Sequence, residues 1–135
     1  MTPTETVQST MPLCATLGIT ASQFAPERVV LHLDWQAGLC TGGGLLHGGA
    51  LMALADSAGG ASAFLNLPEG ASGTSTIESK TNFLGGVLEG ASLTATATPL
   101  HLGATTIVVE TELRTAEGKL VAKTTQTQAV LRPRA

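Results

Sequence analysis

Tyrosine is absent from this 135-residue chain, and three Phe and one Trp are its only aromatic residues. Platforms on which bases could stack are therefore lacking. Charge is scarce as well. Asp, Glu, Lys and Arg make up 13 % of the chain, against about a quarter in an ordinary soluble domain. Seven basic residues stand against ten acidic ones, for a net charge of −3, and no stretch gathers the basic ones. A nucleic-acid groove is excluded on that ground. Cysteine occurs twice, as Cys14 and Cys40, and not as a C-x-x-C pair. Such sparse usage suits reduced thiols in the cytoplasm rather than a disulfide framework. Met1 to Thr10 has neither a basic residue nor an apolar run, so it does not read as a signal peptide. No unbroken apolar stretch reaches the roughly 18 residues a membrane span needs.

Several motifs are missing too. G-x-G-x-x-G, G-x-x-x-x-G-K-[ST] and G-x-S-x-G do not occur, which removes the dinucleotide fingerprint, the phosphate loop and the nucleophile elbow. His32, His47 and His101 stand far apart, with no H-x-x-x-H or cysteine partner. No metal site is expected from them.

What the chain does have is apolar content, at 43 %. A chain of this length is one domain's worth and can bury a core without a staple. Its scarcity of charge implies that other copies of the chain cover part of its surface. Residues 1–10 are polar and Thr-rich, and are expected to be frayed. Residues 11–135 are expected to form a single domain. Met11 to Leu17 reads as a short helix stopped by Gly18, and Val29 to Trp35 as a strand. Gly38 to Gly44 is a glycine-rich loop.

Leu45 to Leu67 is the one long helix candidate, with no proline before Pro68. Its weak point is Gly59-Gly60, because each glycine costs about 1 kcal/mol relative to alanine. Beyond Pro68 the pattern changes to period two. Strands are expected over Thr74–Leu84, Ala91–Leu102, Thr105–Arg114 and Leu120–Leu131, the last two joined by a turn at Ala116–Lys119. The last three make an antiparallel meander. A half-apolar sheet needs a second layer, which the long helix supplies. The fold class is α+β, a curved antiparallel sheet wrapped on one central helix.

That helix carries the chemistry-bearing residues. His47-Gly48-Gly49 stands where it begins. Its first N–H groups have no intrahelical partner and form the positive end of the helix dipole. Glycine there lets a ligand oxygen approach the backbone. Asp56 follows among Leu54, Ala55 and Ala58, where an unpaired carboxylate is costly to bury. Composition alone leaves two readings open for each: a site residue, or a solvent-facing His47 and an outward Asp56. Spacing adds a constraint. Nine residues separate His47 from Asp56, which is a rotation of about 900° and an axial distance of roughly 13 Å. One helix cannot aim both at one small centre, whereas two antiparallel copies of it can. A site built on both lies at a homodimer interface.

The run His47-Gly48-Gly49 to Leu54-Ala55-Asp56-Ser57-Ala58-Gly59 resembles the hot-dog-fold thioesterases. It is similar in particular to the phenylacetate-pathway type and the aryl- and hydroxybenzoyl-CoA thioesterases. Thr76 to Leu84, Thr98 to Gly103, Gly118 to Ala122 and Thr124 to Thr127 look like later elements of that family. The resemblance spans roughly residues 18–132. It implies a hot-dog fold and hydrolysis of acyl-CoA thioesters, with an aryl or medium-chain acyl group, to the free acid and CoA. Asp56 would act as general base on water or as nucleophile. The Gly48 N–H of the other subunit would hold the oxyanion, and His47 would orient the site. Gly49, Ser57, Thr76 and His101 are implied at the substrate. No cofactor is implied beyond the CoA of the substrate, and the cytoplasmic assembly would be a homodimer or a homotetramer built from two dimers.

The chain departs from the family pattern at three places. Thr41 stands where Gln or Asn is usual, and Gly60 where Ser or Thr is usual. An arginine usual after Gly103 is missing, which leaves Lys80 or Arg114 as candidate cations for the CoA phosphates. The alternative these departures support is a non-catalytic acyl-CoA-binding hot-dog protein.

Overall fold

Period-two alternation and one uninterrupted helical run become a six-stranded sheet and a helix lying across it. The computed structural model describes residues 1–134. In chain order the elements are α1 (Pro3–Thr10), α2 (Pro12–Leu17), β1 (Thr20–Ala25), β2 (Arg28–Asp34), α3 (Gly48–Leu65), β3 (Gly73–Phe83), β4 (Ser92–Leu102), β5 (Thr106–Thr115) and β6 (Leu120–Leu131). The strand order is β1-β2-β4-β5-β6-β3, and every neighbouring pair is antiparallel. The expected meander is present as β4-β5-β6. β3 does not pair with the strand that follows it. It crosses to the far side of β6 and forms one edge of the sheet.

The inner face is built by every second residue: Val29, Leu31 and Leu33 on β2, Leu93, Ala95 and Ala97 on β4, and Ile107, Val109 and Leu113 on β5, all buried. α3 packs Leu51, Leu54, Ala55, Ala58 and Ala61 against them. Burying a leucine such as Leu54 contributes about 2–3 kcal/mol. On β6 the same inward phase turns polar, running Ala122, Thr124, Gln126, Gln128, with all four buried. On the edge strand a bulge between Thr76 and Glu78 admits one extra residue. It re-phases β3 so that Thr76 and Ser79 both lie opposite inward residues of β6, Gln128 and Gln126.

The expected frayed N-terminus is corrected here. Pro3–Thr10 is a helix with Thr2 as its N-cap and a reciprocal capping box with Glu5. Its polar composition hides a single anchor, Val7, which is wholly buried. Gln8 Nε2 donates to Ile19 O at 2.9 Å, and Thr4 Oγ1 bridges the Ala21 backbone. The signals of this helix, Thr-x-x-Glu with Pro at the first position, were present in the sequence. α2 ends as expected at Gly18, whose φ of 75° is the left-handed cap that glycine adopts without strain.

Candidate active site

α3 begins at Gly48 with His47 as its N-cap, and the imidazole Nδ1 accepts the Gly49 N–H at 2.7 Å. Nδ1 is therefore the lone-pair nitrogen. Both glycines have a steric reason. A Cβ at Gly49 would lie 2.9 Å from His47 Nδ1, and one at Gly48 would lie 3.3 Å from the Phe83 ring. The N–H groups of Ala50 and Leu51 bond to His47 O. That leaves the Gly48 N–H without a hydrogen-bond partner among the described residues.

Two turns further along, Asp56 turns toward the edge of the sheet. Its Oδ1 accepts from Thr76 Oγ1 at 2.8 Å and from Gln126 Nε2 at 3.1 Å. Oδ2 has no partner among the described residues. The carboxylate is exposed to a cavity of about 770 Å³ whose wall is mostly apolar. Met11 and Leu13 of the α1–α2 corner, Phe24 of β1, and Phe64 and Leu65 of α3 form much of that wall. Thr76 and Gln128 continue it on the sheet side.

The structure thus joins Asp56 and Thr76 directly and places Ser57 and Gly60 on the same cavity. Ser57 Oγ spends its proton on Ala53 O at 2.7 Å, a bond back along its own helix. A Cβ at Gly60 would meet nothing. Beside Ser57, burial pushes the Cys14 thiol up, and the Ser57 hydroxyl pulls in the other direction. His47 and Gly49 line a different hollow, with Leu39, Cys40 and Ala53. One chain therefore does not bring the helix N-terminus to the carboxylate, as the rotation along the helix requires. Thr41 is exposed, its N–H bonded to Leu45 O. Lys80 lies on the opposite face of β3 from Thr76 and bonds Asn82 Oδ1 at 2.6 Å. His101 sits exposed near the end of β4, by Gly103. None of these three lines the Asp56 cavity.

Sequence reasoning missed Gln126 and Gln128 as site residues. A signal existed. Alternation along β6 puts two glutamines at core-facing positions, and buried glutamines need partners. Here those partners are one another, Thr74, Thr76 and Asp56.

Comparison with known proteins agrees with this architecture. A family model described as the thioesterase superfamily matches residues 43–122. A Saccharolobus solfataricus protein provisionally named an esterase is 36 % identical over 105 residues, covering 78 % of this chain and 73 % of that one. The crystal structure of a thioesterase from Haemophilus influenzae superposes with a TM-score of 0.87 at 29 % identity, covering 98 % of this chain and 92 % of the other. A Streptococcus pneumoniae protein described as a hypothetical thioesterase, solved with coenzyme A, gives a TM-score of 0.77 at 26 % identity, covering 87 % and 88 %. With the helix, the sheet and the H-G-G start of the helix all in place, the chain has the hot-dog fold and belongs to the thioesterase superfamily.

Proposed function

We propose that the protein hydrolyses acyl-CoA thioesters and that Asp56 is its catalytic carboxylate. The observation that carries this reading is the state of that carboxylate. One oxygen is tied down by two side chains, and the other is free at the wall of an apolar cavity. The cavity is large enough for an aryl or medium-chain acyl group, since ligand pockets of such size run from about 300 to 1,000 Å³. Support for CoA as the carrier comes from the neighbour that was solved with coenzyme A.

In the general-base form of the reaction, Asp56 Oδ2 takes a proton from water as the water oxygen bonds to the thioester carbonyl carbon. The carbonyl electrons move onto oxygen. They return as the C–S bond breaks, and the CoA thiolate leaves and takes up a proton. The acid and CoA are the products. In the nucleophilic form, Oδ2 itself attacks the carbonyl carbon, the C–S bond breaks as the CoA thiolate leaves, and water cleaves the resulting anhydride to the acid and a restored Asp56. The oxyanion needs a donor that is not already engaged. The Gly48 N–H at the start of α3 is such a donor, and removing one comparable donor costs roughly 3–4 kcal/mol of barrier in other enzymes.

Gly48 lies eight residues from Asp56 on one helix, about 12 Å along the axis, so the donor would come from a second copy. β3 is a sheet edge bearing exposed Ile77 and Phe83, and Phe64 of α3 is exposed beside it. A homodimer joined along that edge covers this apolar surface and sets the two helices antiparallel. Lys80, exposed on β3, is then a candidate for the nucleotide phosphates.

The test is thiol release from phenylacetyl-CoA, a hydroxybenzoyl-CoA, hexanoyl-CoA and acetyl-CoA. Release by the parent that disappears in Asp56→Asn supports the assignment, and the ranking of esters identifies the acyl class. Undiminished release by Asp56→Asn refutes it. Binding of the esters without hydrolysis would instead identify a carrier or sensor.

A further inference from the structure

Gln126 is wholly buried, yet its Nε2 reaches the exposed Asp56 carboxylate. It does so through a notch in α3. An ideal Cβ on Gly59 would stand 2.1 Å from Gln126 Oε1 and 2.3 Å from its Cδ, so only glycine at that position leaves room for the amide. We propose that Gln126, admitted by Gly59, is the positioning residue that aims Asp56. This rests on Asp56 being the catalytic carboxylate.

Two acceptor oxygens meet here, Asp56 Oδ1 and the buried Gln128 Oε1. Thr76 Oγ1 lies 2.8 Å from the first and 2.6 Å from the second. A hydroxyl has one proton and can serve only one of them at a time. Gln126 Nε2 has two, and it points one at each, at 3.1 Å and 2.9 Å. With Gln126 present, both oxygens are satisfied and the Thr76 proton is free to go to Asp56. Without it, one proton is left for two acceptors. Gln128 is the more buried of the two, at 2 % exposure against the exposed Asp56, so the Thr76 hydroxyl turns to its Oε1 and water serves the carboxylate. Asp56 loses both tethers at once and its carboxylate rotates freely in the cavity mouth.

The orientation of the Gln126 amide is forced. Reversed, its oxygen would face two other acceptors. In the observed orientation Oε1 lies buried against Gly59 with no hydrogen-bond partner among the described residues. An unpaired buried carbonyl is a standing cost. Its retention marks Nε2 as the functional end of the side chain. Gln128 is held in turn by its own Nε2, which donates to Thr74 Oγ1 at 3.1 Å.

The experiment compares Gln126→Met, which keeps length and volume but carries no donor, with Asp56→Asn and the double variant, on hexanoyl-CoA and phenylacetyl-CoA. Gln126→Met should lower kcat about 10- to 100-fold with KM nearly unchanged, the scale set by misplacing a reacting group. In the Asp56→Asn background it should change nothing further. Gln126→Met within twofold of the parent, while Asp56→Asn is inactive, overturns the positioning role and leaves the Asp56 assignment standing. Full activity in Asp56→Asn removes that assignment and this inference with it.

A second readout needs neither turnover nor a core substitution. In ¹⁵N-labelled protein, Asp56→Ala should move one side-chain amide proton of Gln126 upfield and leave the other near its place. An unmoved pair overturns the contact itself.

Discussion

Alanine at Gly59 should destabilise the protein, although alanine is the better helix former. The Cβ would sit 2.1, 2.3 and 2.8 Å from three atoms of the Gln126 amide. That side chain is fully buried. Forcing it aside costs about 1–3 kcal/mol of overpacking. It also breaks the charge-assisted bond to Asp56 Oδ1 while leaving the amide buried, which is worth about 1.5–3 kcal/mol. Against this stands the gain of about 1 kcal/mol in helix propensity. The net is a loss of about 1.5–5 kcal/mol, obtained by combining those three magnitudes.

In a Gln126→Ala background the obstacle is gone. The same Gly59→Ala change should then stabilise, by up to about 1 kcal/mol. The sign of the effect thus reverses with the partner, and the coupling between the two positions is about 2.5 kcal/mol or more, toward the upper end for contacting residues. Urea unfolding of the four proteins measures it. Total protein must be the same in each series, because an assembly's stability depends on protomer concentration. An equal cost of Gly59→Ala in both backgrounds would refute the notch argument.

Thr76→Val should lower kcat more than Thr76→Ser, because only the latter keeps the hydroxyl that Asp56 Oδ1 accepts; thiol release on both reports it. Cys14, buried with its thiol pushed up, should react with a thiol reagent at pH 8 only on unfolding, whereas the partly exposed Cys40 reacts in the native protein. The sign of the linked pH effect follows. A thiol whose folded value is raised contributes stability that is intact below its unfolded value and falls away as pH climbs past about 9; unfolding measured from pH 7.5 to 10 should show a slope that Cys14→Ala reduces. Val7→Asp should release α1, since an unpaired charge replaces its one buried anchor. Thr6 and Thr10 of that helix line the Asp56 cavity, so KM for the longer acyl esters should rise while kcat changes less.

Much of the fold was legible because the signals were periodic. β6 falls on Leu120–Leu131 as expected, α3 lies inside the expected Leu45–Leu67, and Gly18 caps α2. The strand order was not legible, since nothing local to Gly73–Phe83 says that it pairs with β6 rather than β4. α1 escaped because composition outweighed its cap. Seven of its eight residues keep some exposure, and one valine fixes it. At the site, the Asp56–Thr76 pair joins residues that the sequence had already singled out, 20 positions apart. Gln126 is 70 positions from Asp56 and 67 from Gly59. A contact that depends on two elements meeting across a glycine has no local signature.

The inward face of β6 shows why that contact is dispensable for the fold. Where it runs Ala122 and Thr124 it packs as a core strand does; where it reaches Gln126 and Gln128 it carries amides. A core needs only volume at those two positions. Gln126→Met removes an amide whose Oε1 is already unpaired, and both of its acceptors keep another donor, Gln128 Oε1 in the Thr76 hydroxyl and the exposed Asp56 in water, so the change is close to neutral for stability, whereas removing the room for the amide is not. Gln126→Met and Gly59→Ala therefore separate two quantities that usually move together. The first should leave unfolding almost unchanged and reduce kcat; the second should reduce both. The glycine at 59 costs the helix about 1 kcal/mol relative to alanine, and the orphaned Oε1 is a further cost to the core. Neither is returned by packing. Both are accounted for if the Asp56 carboxylate must be held at one angle, because by donating to Asp56 Oδ1 and to Gln128 Oε1 together this amide keeps the Thr76 proton on the carboxylate, which a methionine could not do.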